Sequence, residues 1–420
     1  MLTKFDKFIA SIKEEKISHV YEDYSAYTQI IKNERIRRNQ TLETMAKGIC
    51  SVSYLSKLEN NAIKPSEDYV RALLERVNIN YDDIAKNNYD TEILEVVKLY
   101  FYGNTEEIKK IYDRLYNGLF DARISMIKCF YLLSQNDFEE FFEIIEQIDE
   151  IKNSLVGYQT IILVFLVSEY YKKVSRYKES YDYLLCLREL SIDNYELKML
   201  IEENYMISSL HLLKFTEAYR IYINYKMNEM ISYPLIKKIR NDLIAKIVIG
   251  KSVYDEEELD ELLLLSHCVD VDKELCYYIC LNHVLNENYH KVIKIMESNK
   301  LLYNDGKFLA LYGKAIYHLQ KEELYKSFCE QVDNIINKGD NLKEVDKYYL
   351  SFLKMTIFGN DSYENFEYLR YTVLPYINTH SHIIYNADYE KKYVDALMRL
   401  SRYKEAANHL LNLIDRTWRK

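Results

Sequence analysis

A short phrase made of a turn, an aromatic residue and a charged helix start recurs along most of the 420-residue chain. Successive copies lie roughly 33 to 40 residues apart, a period that indicates a stack of similar structural units. Each phrase is predicted to open the second helix of a pair, because one pair cannot bury its apolar face but stacked pairs can. Clear copies occur at 137–141, 176–180, 214–218, 288–292 and 402–406, and weaker ones at 104–107, 253–256, 323–327 and 362–366.

The composition favours the same helical interpretation. Only 9 Gly and 3 Pro occur in the chain, so few sharp turns or hairpins can form. The 42 Tyr need packing surface, which helix contacts supply while each hydroxyl reaches the edge. We therefore expect an all-α protein in which residues 90–420 form a right-handed tetratricopeptide-like helical solenoid with a concave inner wall.

Residues 30–65 contain a different pattern, in which apolar residues at helical spacing are broken by short polar connections. Thr41 is predicted to cap the second of three small helices, and Gly48 to lie near its end. Ser51 is predicted to cap the third, which runs to Glu59. This arrangement predicts a helix-turn-helix, whose last helix lies in the major groove of DNA.

Three segments carry a closer resemblance: the turn GICS at 48–51, the helix core LSKLE at 55–59 and the helix start KPS at 64–66. Together they resemble the Cro/CI-type DNA-binding domain of peptide-pheromone-responsive regulators of Gram-positive bacteria, where it is fused to tetratricopeptide repeats. Leu42 stands where the family usually has a DNA-contacting Gln, and Asn61 where it has a helix-closing Gly. The second change is mild, because Asn tolerates the left-handed conformation.

The resemblance implies which residues contact DNA. Val52, Ser53 and Lys57 would meet base edges, since Lys57 can donate to guanine and Val52 can pack on a thymine methyl. The alternative is that these are solvated surface residues of an interaction module. Phosphate contacts would come from the polar and basic residues around them, namely Ser51, Tyr54, Asn60, Arg37, Arg38, Lys47 and Lys64.

The resemblance also implies a short signalling peptide on the inner wall of the solenoid. Asn side chains both donate and accept hydrogen bonds, so they can hold extended peptide backbone. Regulators of this family carry such asparagines on the first helices of their repeats. The corresponding asparagines here would be Asn204, Asn241 and Asn282. Arg240 and Tyr205, beside them, could hold a carboxylate and an apolar side chain of the peptide.

The charge distribution and the cysteine content limit the possible binding partners and the cellular compartment. Residues 27–64 contain seven basic and three acidic residues, although the whole chain has a net charge of −9. A basic head on an acidic body suits a double-stranded DNA reader whose other part stays off the duplex. The seven scattered Cys indicate reduced thiols, and no apolar run is long enough to span a bilayer. We therefore expect a cytoplasmic protein without a membrane partner.

No motif indicates an enzyme or a cofactor. The best metal-like cluster is Cys276, Cys280 and His283, with His267 and Cys268 nearby. Its spacing within an apolar helix suits buried thiols better than a zinc site. We expect no metal and no catalytic residue.

The sequence thus predicts a helical arm at 1–26, a helix-turn-helix DNA-binding domain at 27–88 and a peptide-sensing, dimerising repeat domain at 90–420. The predicted function is a quorum-sensing transcriptional regulator that acts as a homodimer on paired half-sites. Two alternatives stay open. The array could be a scaffold that binds a partner protein, or the chain could be a peptide-independent phage or plasmid repressor whose repeats only oligomerise.

Overall fold

The structure is a computed structural model that describes residues 25–85, 89–115, 120–155, 157–188, 190–228, 234–249, 272–338, 342–357, 363–377, 380 and 382–418. Every regular element in these ranges is a helix, which confirms the predicted all-α class. The predicted arm, apart from its last two residues, and the weak repeat copy at 253–256 lie outside the described residues. No helix in these ranges is long and apolar enough to cross a membrane.

Five helices form the N-terminal part of the described chain, and their apolar faces share one core. Burying each core side chain contributes about 1.5–3 kcal/mol. Ile31, Met45, Leu55 and Leu58 are completely buried in it. The helices are α1 (Ser25–Arg37), α2 (Leu42–Ala46), α3 (Val52–Glu59), α4 (Glu67–Arg76) and α5 (Tyr81–Ala85).

Both predicted helix caps are confirmed. The Thr41 hydroxyl accepts a hydrogen bond from the Thr44 amide at 3.2 Å, which closes the start of α2. The Ser51 hydroxyl accepts one from the Tyr54 amide at 3.1 Å, which closes the start of α3. Each bond satisfies one of the amides that a helix start leaves without an intrahelical partner.

The two predicted left-handed positions are confirmed as well. Gly48 follows α2 with φ of 76°, and Asn61 follows α3 with φ of 53°. These residue types adopt that conformation with the least strain, so they end both helices and turn the chain. The orientation of α3 against α2 is thereby fixed by local chemistry.

From Asp90 onward the helices form successive pairs, and a first helix also packs on the next first helix in both parts of the array. The early helices are α6 (Asp90–Phe101), α7 (Thr105–Leu115), α8 (Ala122–Gln135), α9 (Phe138–Glu150), α10 (Gly157–Lys173), α11 (Tyr177–Leu187) and α12 (Tyr195–His211). A 3-10 helix at Lys152–Ser154 precedes α10. This packing is the one predicted for stacked repeats.

The later part of the array continues in the same way. It includes 3-10 turns at Lys300–Asn304 and a π-helical turn at Leu369–Val373. Its helices are α13 (Phe215–Asn228), α14 (Leu235–Ile249), α15 (Asp272–Leu285), α16 (Tyr289–Ser298), α17 (Gly306–His318), α18 (Glu322–Lys338), α19 (Glu344–Ile357), α20 (Tyr363–Tyr368), α21 (Leu374–Ile377), α22 (Tyr385–Arg399) and α23 (Tyr403–Trp418).

The five clear copies of the repeated phrase each open a helix at their aromatic residue. Three of the rings pack on the first helix that follows: Phe138 lies 5.3 Å from Tyr170 on α10, Tyr177 lies 3.9 Å from His211 on α12, and Tyr289 lies 4.6 Å from His318 on α17, between ring centroids. The repeat predicted from the phrase is therefore confirmed for these copies. The helices begin at Phe138, Tyr177, Phe215, Tyr289 and Tyr403.

The chain divides into two compact units, and the division falls within the array. The first contains the chain up to Lys173 together with Glu179–Asn204, and the second contains Val174–Lys178 and the chain from Tyr205. The N-terminal helices and the first repeats thus belong to one unit. The sequence-based domain limits of 27–88 and 90–420 stay predictions.

Candidate DNA-binding and peptide-binding sites

Helix α3 has one buried face and one exposed face. Leu55, Leu58 and Glu59 are buried under it. The opposite face combines an apolar side chain, a hydroxyl and an ammonium group, which are the groups that read base edges. The exposed residues on this face and at its ends are Ser51, Val52, Ser53, Lys57 and Asn60.

Three of the predicted basic residues project into solvent around this face. Lys47, Lys57 and Lys64 are exposed, and none of them forms an ion pair within the described part of the chain. Each can therefore neutralise a phosphate without first breaking an internal contact. This surface, defined by Val52, Ser53 and the three lysines, is called the recognition face below.

The two predicted arginines next to it are less free. The Arg37 side chain is 67% exposed and lies 2.7 Å from Glu34. Arg38 is only partly exposed, and its Nε donates to the Glu34 carboxylate at 3.1 Å while Nη2 donates to the Val77 carbonyl. Arg38 therefore holds the end of α4 in place.

Tyr54 has a structural role that is compatible with its predicted phosphate contact. Its hydroxyl oxygen accepts a hydrogen bond from the Ser66 amide at 2.9 Å. Its ring packs edge-on against Tyr69 with 5.0 Å between centroids. The hydroxyl hydrogen can still be donated to a phosphate oxygen. Tyr54 thus joins the recognition helix to the start of α4.

An ion pair beneath α3 was not predicted from the sequence. Arg35 Nε and Nη2 donate to the two carboxylate oxygens of Glu59 at 2.6 and 2.7 Å, and Nη1 donates to the Gln40 carbonyl at 3.1 Å. The side chains are 15% and 4% exposed. This bidentate pair ties α1 to the end of the recognition helix. The available signal was Glu59 itself, a carboxylate on an otherwise apolar helix face.

Asn204, predicted to hold peptide, is already bonded inside the first unit. Its amide nitrogen donates to the Glu169 carboxylate, and its Oδ1 accepts from Lys172 Nζ at 2.7 Å. Glu169 also accepts from the Tyr100 hydroxyl at 3.0 Å. Although burial raises the pKa of Glu169, Lys172 and Lys173 with these hydrogen bonds lower it overall. Asn204 is 2% exposed.

Three predicted peptide residues in the second unit are likewise bonded. The Asn241 side-chain oxygen accepts from Arg240 Nε and Nη2 at 3.2 and 3.1 Å, and Arg240 Nη1 lies 3.0 Å from Glu274. The Tyr205 hydroxyl donates to Glu217 at 2.8 Å. Arg240, Asn241 and Tyr205 are all buried. A ligand could use these groups only by replacing such partners.

Asn282 lies in a different setting, because it lines a pocket of about 300 Å³ in the second unit. Its Oδ1 accepts from the Asn286 amide, and no acceptor for its Nδ2 occurs within the described ranges. The wall is otherwise mostly apolar, which is typical of sites that take a hydrophobic group. The remaining lining residues are Leu213, Phe215, Lys246, Ile247, Leu285 and Ile383.

Cys276, Cys280 and His283 lie buried on α15, and the other two members of the predicted cluster, His267 and Cys268, lie outside the described residues. A hydrogen bond with Cys276 and burial raise the pKa of the Cys280 thiol, so it is a poor metal ligand. Across the residues that the structure describes, no group of three or more His, Cys, Asp and Glu side chains could hold a metal ion.

Comparison with known proteins identifies the N-terminal part. Residues 31–84 match the protein family described as helix-turn-helix. The match includes all of α2, α3 and α4 and therefore the recognition face. It confirms the predicted DNA-binding fold of this segment.

Two further comparisons extend beyond that segment. The chain is 25% identical over 371 residues to the transcriptional activator NprA of Geobacillus stearothermophilus, covering 79% of this chain and 83% of NprA. The crystal structure of Bacillus thuringiensis PlcR in complex with the peptide PapR7 and DNA is 17% identical. It covers 63% of this chain and 98% of its own, with a TM-score of 0.33, which is too low to establish a shared fold.

Proposed function

We propose that this chain is a transcriptional regulator that reads a DNA operator with α3 and is controlled by a short signalling peptide bound to its repeats. The recognition face is the observation that supports DNA binding. Its exposed side chains have the chemistry to read base edges and to neutralise phosphates. The likeness to a transcriptional activator over most of both chains supports the same function.

Binding of the full chain to duplex DNA tests this half. A duplex selected by the protein from a random pool should bind with an affinity that falls steeply as salt rises, because each phosphate contact releases a counterion. Val52→Asp places a carboxylate on the recognition face and should abolish binding. A folded protein that selects no duplex would favour the scaffold alternative.

The peptide half is supported by the pocket around Asn282. An apolar peptide side chain would fill the space between Phe215, Leu285 and Ile383, and a peptide carbonyl would accept from Asn282 Nδ2. Asn282 is buried too, but its Nδ2 needs no exchange of partner, unlike the side-chain oxygen of Asn241, which already accepts from Arg240. In the second unit, binding would therefore begin at Asn282, and Asn241 would exchange its partner afterwards.

Thermal unfolding with and without peptides from the protein's own culture medium tests the peptide half. A ligand at about 100 times its Kd stabilises the folded state by about 2.7 kcal/mol and must raise the melting temperature. Asn282→Ala should lose this shift. The exposed Asn288 on the same unit offers the matched control, since Asn288→Ala should keep it. DNA binding without any peptide shift would favour the peptide-independent repressor.

Three further expectations concern the oligomeric state, the mode of control and the location. A homodimer would place two recognition helices on paired half-sites, as operators of helix-turn-helix proteins require. Peptide would act by different affinity for two arrangements of the dimer, which is the physical requirement for control by a ligand. A cytoplasmic location follows from the DNA target. Sedimentation of the protein with one duplex would count the subunits bound.

A further inference from the structure

Helix α10 connects a predicted peptide-binding residue with the DNA-binding helices inside the first unit. All of its residues from Gln159 to Glu169 are buried. Its end carries the Glu169 and Lys172 groups that hold Asn204. Its start contacts α1. Two distant parts of the unit therefore meet on one rigid helix.

The contact at the start of α10 is made by Gln29. Its Nε2 donates to Gln159 Oε1 at 2.8 Å and to the Ser154 carbonyl at 3.0 Å. Gln29 and Gln159 are each 1% exposed, and Ser154 is completely buried. Breaking these bonds would leave a buried amide without a partner, which costs free energy. This cost holds the two segments in one register.

On its other side, α1 reaches the recognition helix. Arg35, six residues after Gln29, forms the bidentate ion pair with Glu59 at the end of α3. Ile31 lies between them and is completely buried in the core of the helix-turn-helix. A displacement of α1 at Gln29 must therefore move Arg35, and with it the end of α3, because the packed helix is stiff.

We propose that α10 transmits the bonding state of Asn204 to the recognition helix, and that Gln29 is the positioning residue that joins α10 to the DNA-binding helices. The proposal rests on the proposed function only where it assigns the Asn204 amide to the peptide. Peptide backbone that captures this amide takes it from Glu169 and Lys172, and the end of α10 moves. The start of α10 then shifts the Gln159–Gln29 bond and reorients α3.

Hydrogen exchange of the full chain tests this route without peptide or DNA. Asn204→Ala should speed exchange at the α1 amides of residues 28–34 about fivefold, the effect of losing one hydrogen bond that supports a local opening. Tyr100→Phe removes only one hydroxyl from Glu169 and gives the same readout, with a smaller effect, if Asn204→Ala does not fold. Accelerated exchange confined to the end of α10 would overturn the proposal.

Lys128→Ala supplies the matched control. Lys128 pairs with Glu140 between α8 and α9 in the same unit, and it has no ion pair or hydrogen bond with α10 among the residues that the structure describes. This variant should leave exchange in α1 unchanged. An equal acceleration of α1 in Lys128→Ala and Asn204→Ala would mean general loosening of the unit and would also overturn the proposal.

A double-mutant cycle on DNA affinity tests the role of Gln29 as a positioning residue. Asn204→Ala and Gln29→Leu are combined, and binding to the duplex that the wild-type chain selects from a random pool is measured. The two changes should be non-additive by at least about threefold, because they interrupt one route. Additive effects would contradict the route. Absence of any selected duplex would contradict the proposed function alone, since the exchange experiment would still report on α10.

Discussion

The recognition face and the asparagines predicted to bind peptide have opposite settings. On α3, Val52, Ser53 and Lys57 are exposed, and Lys57 has no ionic partner in the part of the chain that the structure describes. In the array, Asn204 and Asn241 are buried and bonded to charged side chains. DNA would meet a surface that is already formed, whereas a peptide at Asn204 or Asn241 would have to compete with internal bonds.

This difference separates the two functions energetically. Changing an exposed DNA-contacting side chain should weaken binding and leave stability intact. Changing a buried asparagine should lower stability as well, because its charged partner is left unsatisfied. The predictions below test this separation.

The largest effect is expected for the ion pair beneath the recognition face. Glu59→Ala leaves the Arg35 guanidinium buried without its partner and should destabilise the N-terminal helices by about 3–5 kcal/mol. Hydrogen exchange of the α2 and α3 amides measures the loss. Arg37→Ala, which removes an exposed side chain and leaves Glu34 paired with Arg38, should leave exchange unchanged.

A double variant sharpens this prediction. Arg35→Met with Glu59→Leu replaces both charges by apolar side chains and should recover most of the stability, because no buried charge is left alone. DNA binding should recover with it, since neither residue belongs to the recognition face. Recovery of stability without recovery of binding would mean that the apolar pair holds α3 in a different orientation from the ion pair.

A smaller loss of stability is expected in the array. Asn241→Ala removes the oxygen that accepts from two nitrogens of Arg240 and should destabilise the second unit by about 1–3 kcal/mol. Urea unfolding followed by the exchange of α14 amides measures it. The variant could instead lose its peptide response and stay as stable as the wild type. That result would contradict a structural role for Asn241, because the residue would then serve binding alone.

Lys57→Ala should behave in the opposite way. We expect a loss of about 1–3 kcal/mol in binding to the selected duplex and a smaller loss on random DNA, because Lys57 is predicted to read a base edge. The melting temperature should stay unchanged, since the side chain is exposed. Equal losses on both duplexes would remove Lys57 from the base-reading residues.

Acidification should act on the array and spare the N-terminal helices, because residues 25–85 contain no His. In the second unit His211 is completely buried, stacked on Tyr177 at 3.9 Å and next to His382 at 4.9 Å between centroids. Burial, with Lys343 and Lys307 nearby, lowers the pKa of His211 from 6.5 to about 3. The buried imidazole therefore stays neutral at pH values where the unfolded one is protonated.

The lowered pKa of His211 determines how the stability of the second unit changes with pH. A lowered folded-state pKa means that the stabilisation is complete above pH 6.5 and is lost as the pH falls from there toward 3. Between pH 7.5 and 5.5 the free energy of unfolding of the second unit should fall by about 1 kcal/mol from His211. Thermal unfolding of His211→Phe should show a weaker dependence on pH. An unchanged dependence would exclude His211 as its source.

Local chemistry explains what the sequence could predict. Thr41, Ser51, Gly48 and Asn61 act on their own neighbours within a turn, so the helix-turn-helix could be derived from residue type and spacing. The aromatic residue of each clear copy of the phrase likewise marks the start of a helix. The predicted start and end of α3 also indicated which of its residues are exposed.

Contacts between distant residues explain what was missed. Gln29 meets Gln159 across 130 positions of the chain, which no local pattern encodes. Glu169 could have been found, because it lies 35 positions before Asn204, about one repeat, and Glu274 lies 34 positions after Arg240. Residues one period apart face each other on successive first helices. The sequence pattern therefore located the asparagines but not the partners that occupy them.

The salt dependence of DNA binding tests the main proposal, that the recognition face binds duplex DNA with Lys47, Lys57 and Lys64. For the full chain and its selected duplex, the logarithm of the association constant should fall linearly with the logarithm of salt concentration, by about 0.9 for each phosphate neutralised. Lys64→Ala should reduce that slope by about 1 and weaken binding equally on all sequences. Binding that does not change with salt, or a slope that Lys47→Ala, Lys57→Ala and Lys64→Ala all leave intact, would contradict it.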